Sequence, residues 1–277
     1  MEDVNMTRFV VVPQWQGSPS ARAMALIDGA DAIQGDLPTS STSRVPVPIE
    51  AGESLDTGVL RASTLRRVAQ HVREELEAFP GERLIVIGGD CGVAVPAVRH
   101  AAGDDLAVVW FDAHGDLHTP ETSPSGAYSG MALRAVLGAA PDGLGAPAGE
   151  IAPERIVLAG ARDLDLDEDL VISDTGIRVV RADEIAASLA DVVAATGARR
   201  VFIHVDLDVL DPAHIDGVSV AQPFGVDPTD LIGAIGEIRE RFDLAGASIA
   251  GFAPRSADAA VDDMGTILRI IGALAKA

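Results

Sequence analysis

The stretch Ala107-Val108-Val109-Trp110-Phe111-Asp112-Ala113-His114-Gly115-Asp116 passes without a break from apolar residues into a cluster of polar donors. Its apolar half is β-branched and aromatic and does not alternate with polar residues. That pattern marks a strand buried on both faces, as in a parallel sheet covered by helices. The polar half then falls at the strand's carboxyl end, where parallel α/β sheets bind ligands. Working outward, similar apolar runs at 9–12, 84–87, 156–159, 177–180, 201–205 and 248–251 predict further strands. Helix-like stretches lie between them, at 20–33, 57–78, 93–101, 126–137, 182–194, 227–241 and 261–274. Within the second, Leu65, Val68, Val72 and Leu76 recur at helical spacing. Asp227-Pro228 offers a capping carboxylate and a proline for a first turn. Repeated βα units predict an α/β fold with a mainly parallel sheet and helices on both faces. Residues 35–55, rich in Ser, Thr and Pro, and 139–149, rich in Ala, Pro and Gly, are expected as loops. No internal repeat or composition shift divides the chain, so a single domain over residues 1–277 is expected.

Two more motifs sit where predicted strands end. One is Gly88-Gly89-Asp90-Cys91, the other His204-Val205-Asp206-Leu207-Asp208, which runs on to Asp211-Pro212. Asp112, His114 and Asp116 alternate with small residues, so three donors can project to one side of an extended segment. Asp206 and Asp208 repeat the spacing. Four carboxylates and one imidazole at one sheet edge repel one another unless a cation neutralises them. Oxygen donors with one imidazole suit Mn²⁺ or a similar divalent ion, and four carboxylates exceed the needs of one ion. Taken singly, Asp112 or Asp208 would be an ordinary strand-end or capping residue. Asp211-Pro212 is expected only to turn the chain away from its strand.

Composition narrows the partners. The net charge of −21 argues against nucleic acid, which requires clustered cations, and otherwise reads as solubility. No apolar run approaches the roughly 20 residues that span a bilayer. The first residues carry no basic-then-apolar leader, so a cytoplasmic protein with no membrane contact is expected. Cys91 is the only cysteine, which rules out an internal disulfide.

Gly88-Gly89-Asp90-Cys91, Asp112-Ala113-His114-Gly115-Asp116, Ser125-Gly126-Ala127-Tyr128-Ser129-Gly130 and Asp206-Leu207-Asp208-Val209-Leu210-Asp211-Pro212 together carry a likeness. Over residues 80–255 the chain resembles the ureohydrolases, the family of arginase and agmatinase. The resemblance implies a three-layer α/β/α, arginase-like fold, two Mn²⁺ per chain, and hydrolysis of a small guanidino compound by a water activated between the ions. By resemblance, Cys91, Asp112, Asp116 and Asp206 hold one ion, and Asp112, His114, Asp206 and Asp208 the other. Asp112 and Asp206 bridge, and Asp116 also moves a proton. His118 and Ser125 would meet a substrate α-carboxylate, and Asp165 an α-amino group. An acid kept at Asp165 favours an amino-acid substrate, although the acidic run 163–169 reads equally as a solvated loop. Trimeric members of the family commonly join through a C-terminal extension. The chain ends at Ala277, just past its last predicted helix, so a monomer is expected.

This sequence also departs from the family. Cys91 stands where histidine is usual, and Ser129 where a proton-handling histidine is usual. Near Gly251 the guanidinium-binding glutamate is missing, which is expected to leave room for an extra substrate atom. Histidine and alanine at 118 and 127 replace asparagines. The departures resemble a branch of the family, in antibiotic biosynthesis, that cleaves N-omega-hydroxy-L-arginine to hydroxyurea and L-ornithine, and they imply that reaction. The alternatives are hydrolysis of another guanidino compound and a catalytically silent, metal-binding relative.

Overall fold

The structure is a computed structural model and describes residues 6–276. Its strands are β1 (Thr7–Val11), β2 (Thr42–Arg44), β3 (Arg83–Ile87), β4 (Leu106–Phe111), β5 (Ile156–Ala159), β6 (Arg178–Val180), β7 (Arg200–Asp206) and β8 (Asp243–Ala250). Its α-helices are α1 (Ala25–Asp36), α2 (Ala62–Glu77), α3 (Ala94–Ala101), α4 (Ala132–Val136), α5 (Leu166–Thr175), α6 (Ile185–Ala194), α7 (Pro228–Arg241) and α8 (Ala257–Ala275). The eight strands form one sheet in the order β2-β1-β3-β8-β7-β4-β5-β6. Every pairing is parallel.

Strand β4 shows why its sequence lacks alternation. Leu106, Val108 and Trp110 pack toward the layer of α2, α3 and α4, with Leu65, Val68, Val98 and Leu133. Ala107, Val109 and Phe111 pack toward α1, α6, α7 and α8, with Ile33, Leu189, Ile235 and Ile267. Both faces are dry, so both sets must be apolar. The outcome is the expected three-layer α/β/α arrangement. No helix among the described residues is long and apolar enough to cross a membrane.

The differences from expectation have local causes. Strand β2 lies inside the stretch expected as a loop. It has only three residues, Thr-Ser-Arg, and pairs with β1 at the sheet edge. A short polar edge strand carries no apolar signal. The acidic run is the start of helix α5. Asp165 accepts from the backbone N–H groups of Asp167 and Glu168, both at 3.0 Å, while Glu168 Oε2 reaches back to Asp165 N at 3.3 Å. This reciprocal capping box turns clustered acids into a helix N-terminus, where negative charge is favoured. Helix α2 starts at Ala62, because Arg61 before it is left-handed at φ 60°. The helix expected over 126–137 is a single turn at Ser129–Met131 followed by the short α4.

Candidate metal centre

Strands β3, β8, β7 and β4 lie side by side at the middle of the sheet, and their carboxyl ends bring the three motifs together. After β3 the chain turns through Gly88 and Gly89, at φ 87° and 80°. A Cβ on Gly89 would stand 2.7 Å from the carbonyl oxygens of Val12 and Gln14, so only glycine passes there. The turn delivers Asp90, which accepts from Gln14 Nε2 at 2.9 Å, Gly17 N at 2.9 Å and Gly92 N at 3.0 Å. Burial pushes Asp90 up to about 6 against those hydrogen bonds. Cys91 follows, buried, with Sγ donating to Asp206 Oδ2 at 2.7 Å and standing 4.0 Å from Asp112 Oδ2.

The other donors interlock. Asp112 Oδ1 accepts from His114 N at 2.7 Å and Oδ2 from Trp110 Nε1 at 3.2 Å. Asp208 Oδ1 accepts from Ala113 N at 3.1 Å, and Asp206 Oδ1 from Asp208 N at 3.0 Å. His114 Nδ1 is 3.1 Å from Asp208 Oδ2 and 3.3 Å from Asp112 Oδ1. Asp116, at φ 51°, keeps a buried Oδ2 with no hydrogen-bond partner among the described residues. Asp211 makes the expected turn, accepting from Ala213 N at 2.9 Å and Gly225 N at 3.0 Å. All six predicted ligand residues line one cavity of about 210 Å³, and no Arg or Lys among the described residues lines it.

The donor set fits divalent cations. Asp112, Asp116, Asp206 and Asp208 are all buried. Burial, followed by the Asp208 charge, pushes Asp206 up to about 7; burial, followed by Asp112, pushes Asp208 up to about 6. Burial raises Asp112, and it holds Asp116 well above the usual carboxylate range with neighbouring carboxylates adding to it. Burial and then the charges of Asp206, Asp116 and Asp112 raise the Cys91 thiol. Burial lowers His114, but the hydrogen bonds that it donates to Asp112 and Asp208 outweigh this and drive it up to about 12. One imidazole cannot neutralise four such carboxylates, whereas divalent ions can.

These shifts fix a pH dependence for the metal-free protein. Raised carboxyls bind protons in the folded state that they release on unfolding, so stability falls as pH rises. For Asp206 the window runs from the ordinary 3.8 to about 7, and for Asp208 from 3.8 to about 6. The melting temperature of metal-free protein is expected to drop between pH 5 and pH 8, and excess Mn²⁺ at pH 8 should restore it. Calorimetry giving a rising melting temperature over that range, or no rise with Mn²⁺, would contradict this account.

The expected substrate residues divide. His118 and Ser125 line the cavity, but Asp165 does not. Asp165 Oδ2 instead meets His118 Nε2 at 3.2 Å, and His118 Nδ1 lies 3.1 Å from Thr122 Oγ1. His118 therefore has neither ring nitrogen free, and Asp165 stands behind His118 and Glu168 rather than in the cavity. Ser125 Oγ accepts from Ala127 N at 3.2 Å, which leaves its hydroxyl proton available. The room expected at Gly251 is absent. A Cβ there would stand 2.2 Å from Asp206 Oδ1, on a backbone at φ 86°, so the Asp206 carboxylate fills that place. Open space lies instead beside Ser129, where a Cβ on Gly130 would meet only His118 Cδ2, at 3.9 Å.

Two residues escaped the sequence reading. Glu168 lines the cavity, accepts from Leu117 N at 3.2 Å and is raised by burial. Arg162 donates to the carbonyl oxygens of Gly160, Asp208, Val209, Gln222 and Pro223 at 2.9–3.2 Å, tying the loop after β5 to the one after β7.

A parallel α/β sheet with a carboxylate-rich donor cluster at its central strand ends defines the class of protein. The arginase family model matches residues 20–268. The chain is 32% identical over 219 residues to an arginase of Staphylococcus aureus, covering 73% of this chain and 71% of that protein. It is 32% identical over 199 residues to an N(omega)-hydroxy-L-arginine amidinohydrolase of Streptomyces lavendulae, covering 70% of each. Its fold is similar to that of an Entamoeba histolytica arginase solved with L-ornithine, with a TM-score of 0.86, 21% identity and 99% of each chain covered. The chain belongs to the arginase family, the ureohydrolases, hydrolases of amidino C–N bonds.

Proposed function

We propose that the chain is a binuclear manganese amidinohydrolase that cleaves N-omega-hydroxy-L-arginine to hydroxyurea and L-ornithine. The observation that carries the reading is the cavity's lining. It joins the full set of six ligand residues to Ser129 and Gly251, positions that offer neither an imidazole acid nor a free carboxylate for a guanidinium. The similarity to the Streptomyces lavendulae protein supports the same substrate.

Two bound Mn²⁺ would lower the pKa of a shared water toward neutrality and polarise the guanidino group. In this reading Cys91, Asp112, Asp116 and Asp206 would hold one ion and Asp112, His114, Asp206 and Asp208 the other. Trp110 Nε1 and the backbone N–H groups of His114 and Asp208 orient Asp112 and Asp206, the two carboxylates that both ions would share. Asp116 Oδ2, which has no hydrogen-bond partner among the described residues, would accept the proton released as the attacking oxygen bonds to carbon. Ser125 donates its hydroxyl to the substrate carboxylate. His118, backed by Asp165, bounds the amino-acid end, and the substrate hydroxyl lies in the space beside Ser129 and Gly130.

A panel of guanidino compounds incubated with Mn²⁺-loaded protein and assayed for the released amine tests the assignment. Ornithine and hydroxyurea in equal amounts from N-omega-hydroxy-L-arginine are expected. Turnover confined to agmatine, or absent from every compound despite full metal loading, would replace it.

A further inference from the structure

His204 lies on β7 two residues before Asp206 and so points to the same face of the strand. Its ring is fully buried and stacks on Trp110, with centroids 3.9 Å apart and planes tilted by 36°. Nδ1 is 2.8 Å from Ser248 Oγ. Nε2 is buried and has no hydrogen-bond partner among the described residues. A buried nitrogen left unpaired is costly unless something meets its lone pair. A ring nitrogen of His204, Cys91 Sγ and an Asp112 carboxylate oxygen all lie within 4.8 Å of one another. That separation suits donors around one ion with bonds of about 2.0–2.3 Å. The Ser248 contact is also what a ligating imidazole requires, since its second ring nitrogen is usually held by a hydrogen bond that fixes the tautomer.

We propose that His204 is a metal ligand, and that with Cys91 and Asp112 it forms a sulfur–nitrogen–oxygen position that takes a thiophilic ion such as Zn²⁺ in preference to Mn²⁺. The inference rests on the reading that the cavity holds two divalent ions. Asp112, His114 and Asp208, a separate group whose donors also lie within 4.8 Å of one another, form the oxygen-rich position that remains for Mn²⁺. Thiolate and imidazole favour zinc, whereas carboxylates favour manganese. The imidazole from β7 replaces the one missing where Cys91 stands. Binding expels the Cys91 thiol proton, as thiolate ligation demands.

The test is X-ray absorption on metal-free protein given one equivalent of Zn²⁺. The expected spectrum has one sulfur at about 2.3 Å and an imidazole nitrogen at about 2.0–2.1 Å. The imidazole signal should persist in His114→Ala. His204→Ser is expected to weaken the first equivalent of Zn²⁺ at least about tenfold in equilibrium dialysis. One equivalent of Zn²⁺ added to Mn²⁺-loaded protein should release one Mn²⁺ and keep the other. A sulfur shell without imidazole in His114→Ala would overturn the inference and needs no His204 variant to fold. So would displacement of both Mn²⁺ or of neither. Failure to hold a second ion of any kind would strike instead at the two-ion reading, and loss of hydroxyarginine turnover with these signatures intact would strike only at the substrate.

Discussion

Asp112→Asn is expected to leave a folded protein that turns over no guanidino compound and retains little divalent metal. Asp112 stands at the meeting point of the centre. Its Oδ2 lies 4.0 Å from Cys91 Sγ and its Oδ1 3.3 Å from His114 Nδ1, so it touches both candidate ion positions. An amide loses the negative charge that two cations would share. It also presents an N–H₂ to one of them. Replacing a hydrogen-bond partner behind a ligand typically costs about 10–100-fold in metal affinity or activity. Loss of a bridging carboxylate should exceed that range. The folded state should not suffer, because the substitution removes one of several mutually repelling buried carboxylates. Metal-free Asp112→Asn is therefore expected to melt no lower than the metal-free parent at pH 8. Two tightly held ions per chain with undiminished turnover would remove Asp112 from the bridging position.

The same site shows how far a sequence can be read. The alternation Asp112, His114, Asp116 and the pair Asp206, Asp208 are local, and each follows a continuous apolar run that marks a buried strand. The fold and the gathering of these donors at one cavity are legible there because period, strand end and donor chemistry coincide within a few residues. Helix α5 was hidden, because an acidic run looks the same in solvent and at a helix N-terminus until Asp165 and Glu168 are seen to cap it. Arg162 was hidden because its partners are backbone carbonyls up to 61 residues away, and carbonyls leave no trace in a sequence. His204 sits inside an apolar run beside an aspartate motif, with nothing local to separate packing from ligation. Its meaning depends on Trp110, Ser248 and Cys91, contributed by two other strands and the turn after a third. Gly251 was legible as an absence but not in its consequence, since the carboxylate that fills the space belongs to β7.

Selectivity is where the missing residues should have their largest effect. N-omega-hydroxy-L-arginine is expected to exceed L-arginine in kcat/KM by at least about 100-fold. Arginine's guanidinium remains a cation at any working pH, so a site for it benefits from a carboxylate partner. Here Asp112, Asp116, Asp206 and Asp208 would be taken up by the ions, Asp90 is held by Gln14, Gly17 and Gly92, Glu168 by the backbone N–H groups of Leu117 and Asp165, and Asp165 is paired with His118. Gly251 supplies no carboxylate, and no side chain can enter at that position without displacing Asp206. An unpaired cation would thus approach two metal cations. An N-hydroxyguanidine is less basic, because the hydroxyl withdraws electrons, and it can enter nearly neutral. The leaving ornithine amine adds a second term. General acid catalysis contributes about 10²–10⁴-fold, and Ser129 is too weak an acid to supply it. A substrate hydroxyl in the open space beside Gly130 can relay to the leaving nitrogen the proton that Asp116 has accepted. Steady-state kinetics on both substrates with the same metal-loaded preparation decide the matter. An arginine value equal to or above that for the hydroxylated substrate would mean that the protein itself supplies both the charge partner and the acid, and would return the chain to ordinary guanidine hydrolysis.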